Sequence, residues 1–400
     1  MKKKLLNIFR SKVLYIASAL LLVTSCADVF LDLDPENAVS DDYAIVDEKT
    51  AETALNGAYN RLKSTNYYGG GNFVSAIYLA GNDVAWTGSL NYYKDFNTHD
   101  YLADNTTVAT SWNAIYKTIN AANQVIDKVS ALNNIGATNK NRIIGEALFI
   151  RSLAHFDLAR TWGNIPIITK ATVTAKDFDG VKQSSQKDVY NKVVEDLKTA
   201  LPLLSSTLNR THATKASANA LLARVYLYLE DWDKAEEYAT LLIDDTNYDL
   251  IDYTTFYTTK SSKESILELN FTSSDKNDHW YYWFAPDQGG RHEWGPSKTI
   301  YDLLNDPDVG GTRKALVKDL STASSPNYYV GLLYHRTNGD DPVYLFRISE
   351  QYLIRAEARA KKQNPDIDDV LSDLDEVKGR AHAALSHATT IEQAILDIEN

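Results

Sequence analysis

The sequence predicts an all-α dominated protein, built as a helical-repeat superhelix that carries a loop-rich, aromatic insertion. Apolar residues recur at a spacing of three and four residues through most of residues 43–245 and 347–400, as they do in amphipathic helices. Between residues 246 and 346 this periodicity is lost, and Trp, Tyr and Phe are about twice as frequent as elsewhere in the chain. We therefore expect one domain over residues 43–400, in which a helical scaffold carries the irregular insertion.

Residues 1–25 have the pattern of a secretory signal peptide. A basic start precedes the apolar run Val13–Val23, which is too short to span a bilayer as a mature helix. Small residues then lead to Cys26, the single cysteine of the chain, in the order expected of a bacterial lipobox. Acylation of this thiol would anchor the mature protein to a membrane, whereas the alternative is a stray cysteine beside an ordinary cleavage site. Residues 26–42 are acidic and interrupted by proline, which indicates an extended, lipidated tether.

Composition limits the classes of partner and chemistry. The formal net charge is −12 at pH 7, and removal of the basic leader would make the mature chain more acidic. An acidic surface repels nucleic acid and favours neutral or cationic ligands. Because the only cysteine is assigned to the lipid, an intrachain disulfide and a cysteine nucleophile are excluded.

Periodicity in the N-terminal half predicts one helix followed by a long helical pair. Apolar spacing indicates a helix over Ala51–Leu62, which ends at a flexible turn formed by Gly69–Gly71. A polar, aromatic loop region is expected over residues 72–109, and Ser111 is the expected N-cap of the next helix. The segment Arg142–Pro166 then predicts a long amphipathic helix, antiparallel to the one before it.

Further helical pairs are predicted on either side of the insertion. A helix over Val189–Leu204 is followed by a pair over residues 215–229 and 233–243, whose small and aromatic positions match the tetratricopeptide pattern. In that repeat, small residues let two helices approach closely and aromatic residues fill the gap at the turn. Beyond the insertion, residues 347–361 and 367–377 form another pair. The scaffold is therefore predicted to be a degenerate, tetratricopeptide-like superhelix.

The segment GEALFIRSLAHFDLARTWGNIP, residues 145–166, resembles the signature of the SusD/RagB family of Bacteroidetes outer-membrane nutrient-binding lipoproteins. The matching features are an acidic-Ala pair, an Arg, an aromatic-Asp-Leu run and a Trp-Gly-x-x-Pro exit, at Glu146, Ala147, Arg151, Phe156, Asp157, Leu158, Trp162, Gly163 and Pro166. The phrases FLDLDPE after the cysteine, NGAYN at residues 56–60 and YLIRAEARAKK at residues 352–362 are also similar to the family. Family members usually continue beyond the equivalent of Asn400, so the resemblance indicates a C-terminally truncated chain.

The resemblance implies a lipoprotein of the cell outer membrane, anchored through a palmitate-type lipid on Cys26 and facing outward. Its implied role is to capture a nutrient, most often an oligosaccharide, and to pass it to a TonB-dependent SusC-like transporter. It also implies that the ligand is held by residues from the loop after the first helix and from the insertion. A peptide-capturing protein of the same family, a lipid-anchored glycoside hydrolase and a purely structural helical scaffold are the alternative functions.

The sequence contains no recognisable catalytic motif. Gly-x-Ser-x-Gly, HExxH and phosphate-loop patterns are absent, so we expect a binding protein and no enzyme. The carboxylate pair of a glycosidase needs only to be close in space, and the sequence leaves that alternative open. His279, His292 and Glu293 lie near one another in sequence, but such spacing often arises by chance, so no metal site is expected. The broken calcium-loop pattern from Asp306 to Gly310 leaves a structural calcium open.

The strongest binding signal is the aromatic run WYYWF at Trp280–Phe284. In a strand, neighbouring side chains point to opposite faces, so five consecutive aromatic residues cannot all enter one core. An exposed aromatic platform suits the apolar C–H faces of sugar rings, whereas the alternative is a hydrophobic cluster covering the helices. The candidate ligand-binding residues are Asp83, Trp86 and Tyr92 in the first loop and Trp280, Tyr282, Trp283, Arg291 and Trp294 in the insertion.

Overall fold

The computed structural model describes residues 45–399, apart from the side chains of residues 175 and 178. The predicted signal peptide, the lipidation site at Cys26 and the tether lie outside the described residues. From Asp47 onward the described chain forms one compact unit in which helices dominate. The predicted all-α dominated, tetratricopeptide-like fold class is confirmed.

The helices follow one another along the chain with loops and short strands between them. They are α1 Glu48–Leu62, α2 Asn72–Ala80, α3 Asn91–Asn97, α4 Thr106–Ala131, α5 Ala137–Trp162, α6 Gln186–Ala200, α7 Lys215–Tyr228, α8 Trp232–Ile243, α9 Tyr253–Phe256, α10 His279–Trp283, α11 Lys298–Asn305, α12 Ile348–Lys361, α13 Ile367–Arg380 and α14 Ile391–Glu399. Short stretches of 3-10 helix cover Ala175–Phe178, Pro286–Gln288 and Gly311–Leu316.

The strands of the described chain form antiparallel pairs only. They are β1 Val84–Trp86 with β5 Trp294–Pro296, β2 Ile165–Pro166 with β3 Gln183–Ser184, β4 Ser265–Leu269 with β8 Val343–Arg347, and β6 Val317–Asp319 with β7 Tyr329–Gly331. Most of these strands lie within the predicted insertion. The β1–β5 pair positions the candidate site, because it joins the loop after α2 to the insertion.

The scaffold is a series of helical hairpins. The long helices α4 and α5 pack against each other, α1 packs across both, and α6 continues the layer on α5. The predicted tetratricopeptide-like pair is α7 and α8, and α12 and α13 extend it. The Asp231 side chain caps α8 by accepting a hydrogen bond from the Lys234 backbone N–H at 3.2 Å, and Ala223, Ala235 and Ala239 are fully buried where the helices meet.

Helix α5 contains the buried charged residues Glu146, Arg151 and Asp157, each paired with a partner on another part of the chain. The Asp157 carboxylate has no exposed surface and accepts hydrogen bonds from the Tyr67 and Tyr68 hydroxyls, both at 2.6 Å. Arg151 donates through Nε to Asp196 at 2.7 Å, an ion pair that ties α5 to α6. Because buried charges are tolerated only when paired, these signature residues serve the core of the scaffold.

Several predicted element boundaries were wrong. The region over residues 72–109 is not a continuous loop, because it contains α2 and α3. Ser111 lies inside α4, and the N-cap is Asn105, whose side chain accepts from the Thr107 N–H at 2.9 Å. The Gly69–Gly71 turn is buried and tightly packed, since a Cβ on Gly70 would lie 2.5 Å from the backbone nitrogen of His279.

Candidate ligand-binding site

The aromatic run of the insertion forms a short helix and not the strand that its sequence suggested. Helix α10 is fixed to the turn between α1 and α2, because Asp278 N–H donates to the Gly69 carbonyl at 2.7 Å. The imidazole Nε2 of His279 lies 3.0 Å from the Tyr68 carbonyl, and the ring stacks on Tyr334 with a centroid distance of 3.8 Å. A single helical turn fans its side chains around an axis, so the consecutive aromatics point in different directions.

The β1–β5 pair brings the first loop to the insertion. Trp86 lies opposite Trp294 in the ladder, and the Asp83 carbonyl accepts a hydrogen bond from Ser297 N–H at 2.8 Å. The buried Glu293 carboxylate accepts from the backbone N–H groups that follow β1, those of Ser89 at 2.9 Å and Leu90 at 3.1 Å. Two segments about two hundred residues apart in sequence are therefore held side by side.

Trp294 lies at the centre of the aromatic cluster and has no exposed surface. Its indole stacks on Tyr282 at a centroid distance of 4.7 Å and meets Tyr93 edge to face at 5.1 Å. The Trp283 indole lies 6.5 Å away and perpendicular to it. A fully buried ring cannot offer a face to a ligand in this conformation, so we assign Trp294 to the core that supports the surrounding rings.

Tyr92 and Tyr282 pack against this core and continue into a group of half-buried and exposed side chains, which we call the aromatic surface. Trp280, Tyr281 and Tyr282 follow one another with centroid distances of 5.9 and 5.4 Å. Arg291 is exposed and pairs with Glu293 at 2.9 Å. Tyr92 lies at the edge of the same cluster. Burial raises the pKa of its phenol, and the negative charge of Glu293 raises it further. The phenol therefore stays neutral and can donate a hydrogen bond. The aromatic surface consists of Tyr92, Trp280, Tyr281, Tyr282 and Arg291.

Asp83 and Trp283 line a neighbouring cavity of about 220 Å³. Its walls are otherwise mainly apolar, and Asp83 is the only ionisable carboxylate among them. Such a cavity can receive an apolar ring face while one acceptor group fixes a hydroxyl. The remaining lining residues are Tyr78, Val84, Pro296, Ile300, Leu304, Leu316, Val317, Gly331, Leu333 and Tyr334.

Trp86 is less available than its sequence position suggested. Its ring is half-buried and packs against the core cluster, and the Lys94 ammonium lies 5.4 Å from the ring centroid. A cation over the ring face attracts the π system, so a ligand would have to displace this contact.

The sequence did not predict Tyr78, Tyr334 and Gly331 as site residues, since only folding brings them to Trp283. Tyr281 could have been chosen from the aromatic run itself.

The possible metal ligands of the insertion have other partners. His292 Nε2 lies 2.9 Å from the Tyr329 carbonyl, and His279 and Glu293 make the contacts given above. The Asp306 carboxylate accepts from the Asp308 N–H at 2.8 Å. Within residues 45–399, no three His, Cys, Asp or Glu side chains converge in a way that could hold a metal ion.

Comparison with known proteins gives the family. A family model described as starch-binding and associating with the outer membrane matches residues 29–227, and the SusD family model matches residues 232–399. The chain belongs to the SusD/RagB family. The resemblance seen in the segment at residues 145–166 is thereby confirmed.

Relatives of known sequence are similar over part of their length. The chain is 29% identical to SusD-like protein P2 of Formosa agariphila over 235 residues, which cover 58% of this chain and 46% of the relative. It is 27% identical to SusD-like protein P38 of the same organism over 310 residues, or 77% of this chain and 56% of the relative. The chain thus spans about half the length of these curated relatives.

Solved SusD structures share the fold over most of the chain. A SusD superfamily protein of Bacteroides thetaiotaomicron superposes with a TM-score of 0.76 at 25% identity, covering 88% of this chain and 84% of that one. A protein described as a laminarin-binding SusD-like protein superposes with a TM-score of 0.75 at 21% identity, covering 87% and 88%. Within the described part of this SusD protein, no helix is long and apolar enough to cross a membrane.

Proposed function

We propose that this SusD protein is a cell-surface glycan-binding lipoprotein. The observation that carries the proposal is the β1–β5 pair, which brings Asp83 beside the aromatic residues of the insertion. The resulting site offers half-buried phenol and indole rings for stacking on sugar C–H faces, and polar groups at Asp83 and Arg291 for hydroxyl groups. The laminarin-binding relative of the same fold supports a glycan as the ligand class.

The ligand is held without chemical change. A glycosidase needs two carboxyl groups facing the scissile bond. Glu293 is buried and already accepts two backbone hydrogen bonds and an ion pair, so it is not free to act as the partner of Asp83. The proposed protein therefore binds an oligosaccharide and releases it to a SusC-like TonB-dependent transporter, while a lipid on Cys26 keeps it at the outer membrane.

Glycan-array screening followed by calorimetric titration tests the ligand class. We expect an oligosaccharide to bind without turnover, and we expect Trp280→Ala and Trp283→Ala each to weaken binding by about tenfold through loss of stacking. A matched control is Trp232→Ala, because Trp232 lies on α8, away from this site. Preferential binding of peptide mixtures would favour the peptide-capturing alternative, and hydrolysis of the glycan by clean protein would contradict a binding function.

Membrane attachment is tested in the full-length protein. A Cys26→Ala variant should lose incorporation of labelled palmitate and should leave the outer-membrane fraction, whereas the parent protein should be accessible to protease on intact cells. Pull-down of the tagged parent protein should recover a TonB-dependent transporter. Retention of the Cys26→Ala variant in the outer membrane would contradict lipid anchoring.

A further inference from the structure

A second cleft, of about 280 Å³, lies between the end of α1 and one side of α4. It is separate from the cavity of Trp283 and is lined mainly by cationic, hydroxyl and amide side chains, with no carboxylate among them. In a chain of net charge −12, a cleft of this composition is a local exception. The lining residues are Arg61, Ser64, Asn66, Thr110, Asn113, Ala114 and Lys117.

The local sequence explains why these groups converge. Thr110, Asn113 and Lys117 share one face of α4, because they follow the i, i+3 and i+7 spacing of a helix. Arg61 lies in the last turn of α1, and Ser64 and Asn66 of the following turn also line the cleft. The cleft is thus formed by two helices and the turn that follows α1.

Asn72, the first residue of α2, fixes the polar wall of the cleft. Its amide Nδ2 donates to Asn66 Oδ1 at 2.8 Å and to Thr110 Oγ1 at 2.7 Å. Its Oδ1 accepts from the Tyr93 hydroxyl at 3.3 Å, and Tyr93 meets Tyr282 of the aromatic surface edge to face at 5.9 Å. The side chains of Asn72 and Tyr93 therefore connect the cleft to the aromatic surface.

The two cations of the cleft have no partner. Within residues 45–399, Arg61 is the one arginine whose guanidinium makes no ion pair, hydrogen bond or ring contact, and the Lys117 ammonium also makes none. The other arginines bind carboxylates, carbonyls or aromatic rings, as Arg151, Arg224 and Arg313 do. Guanidinium and ammonium groups left free beside neutral hydrogen-bonding groups are suited to an anion.

We propose that this cleft binds the anionic substituent, a carboxylate or a sulfate ester, of an acidic glycan. Arg61 and Lys117 would neutralise the anion, while Asn66, Thr110 and Asn113 would meet the neighbouring sugar hydroxyls. The saccharide part of this inference rests on the proposed glycan-binding function. The cleft would admit acidic glycans that the overall negative charge of the protein disfavours.

The test uses the full-length protein and matched acidic and neutral polysaccharides in affinity gels. Suitable pairs are carrageenan with its desulfated form, and glucuronoxylan with neutral xylan. We expect the acidic member of at least one pair to bind more tightly, and we expect that binding to weaken as salt is raised, because exposed charges are screened. Preference for the neutral member in every pair that binds would overturn the inference.

Variants that each remove one positive charge test whether the acidic glycan binds in this cleft. Arg61→Gln and Lys117→Gln should each weaken binding of the preferred acidic glycan by about tenfold and leave binding of its neutral partner unchanged. Lys187→Gln on α6 removes the same charge from an exposed site outside the cleft and should change neither. Equal binding of the acidic glycan by parent, Arg61→Gln and Lys117→Gln proteins would overturn the cleft as its site.

The remaining outcomes separate this inference from the proposed function. Binding of neutral glycans that is insensitive to Arg61→Gln, with no acidic preference, overturns the cleft and leaves the glycan-binding function standing. Absence of binding to any glycan overturns both. Sodium sulfate alone distinguishes a free anion from a saccharide substituent, since equal affinity for sulfate and for carrageenan would contradict recognition of an acidic glycan.

Discussion

The buried indole of Trp294 supports the half-exposed phenol of Tyr282, with ring centroids 4.7 Å apart and an angle of 24° between the ring planes. The two residues were predicted as equal members of one ligand-binding set, yet only Tyr282 has a surface that a ligand can reach. Tyr93 meets the same indole edge to face, so Trp294 is enclosed by rings on more than one side. Stability and ligand binding should therefore respond to different members of the aromatic cluster.

Replacement of Trp294 should destabilise the fold. The Trp294→Ala change leaves a cavity in a closely packed aromatic core, and we expect the free energy of unfolding to fall by about 3–5 kcal/mol. Trp280→Ala, at a half-buried ring, should change it by less than about 1.5 kcal/mol. Urea unfolding followed by circular dichroism measures both, and equal losses would contradict the assignment of Trp294 to the core.

The buried Asp157 carboxylate should be essential for stability. Asp157→Ala would leave the Tyr67 and Tyr68 hydroxyls without their acceptor and Arg160 without its ion-pair partner, which lies 2.8 Å away. Removal of one partner of a buried ion pair costs about 3–5 kcal/mol. The exposed Asp83→Ala variant is the control and should change the free energy of unfolding by less than about 0.5 kcal/mol. A thermal midpoint for Asp157→Ala equal to that of the parent would contradict this role.

Two buried imidazoles should make the fold sensitive to acid. Burial lowers the pKa of His155 and of His279 to about 4 in each case, and His155 Nε2 accepts a hydrogen bond from Ile168 N–H, which needs a neutral ring. An unfolded histidine has a pKa near 6.5, so between about pH 6.5 and 4 the unfolded chain binds more protons than the folded one. Stability from these residues is complete above pH 6.5 and falls as the pH decreases.

The expected loss is about 3 kcal/mol for each histidine across this interval. Urea unfolding at pH 7, 5.5 and 4.5 measures it, and the exposed His387→Gln variant should give the same profile as the parent. A free energy of unfolding that is independent of pH between 6.5 and 4 would contradict the buried, neutral state of both imidazoles.

The helical scaffold could be predicted because its periodicity reports its packing. Ala235 and Ala239 repeat at the spacing that lets α8 close on its neighbours, and both are buried as the pattern required. The start of α4 was missed because Thr106–Thr110 is polar, and its capping residue, Asn105, was not distinguished from other polar residues of the loop. Many polar side chains near the start of a helix can serve as its N-cap, so Ser111 was predicted where Asn105 is the capping residue.

The aromatic site was predicted in its composition and not in its geometry. Five consecutive aromatic residues have no period of their own, so α10 could not be distinguished from a strand. The burial of Trp294 depends on its pairing with Trp86 and on its ring contact with Tyr93, which are contacts between distant segments. The cleft at Arg61 and Lys117 was not predicted for the same reason, since each residue alone resembles an ordinary surface cation.

Gly331 should control the position of Trp283 in the cavity. A Cβ on Gly331 would lie 2.9 Å from Cε3 and 3.0 Å from Cζ3 of the Trp283 indole, closer than packed carbon atoms tolerate. The indole of the Gly331→Ala variant would therefore have to move, although Tyr78 and Trp294 confine it on other sides. We expect stability to fall by about 1–3 kcal/mol, as in overpacked cores, and glycan affinity to fall several-fold.

Gly57→Ala provides the matched control for this substitution. Gly57 lies in the interior of α1 and is exposed, and apart from the adjacent backbone of its own helix no atom lies within 4 Å of the position that an alanine methyl group would take. Alanine should therefore raise stability by about 0.5–1 kcal/mol without changing affinity. Near-ultraviolet circular dichroism should change for Gly331→Ala and stay constant for Gly57→Ala, because only the first substitution contacts an indole. Unchanged glycan affinity in a Gly331→Ala protein with an altered aromatic spectrum would show that Trp283 does not contact the ligand.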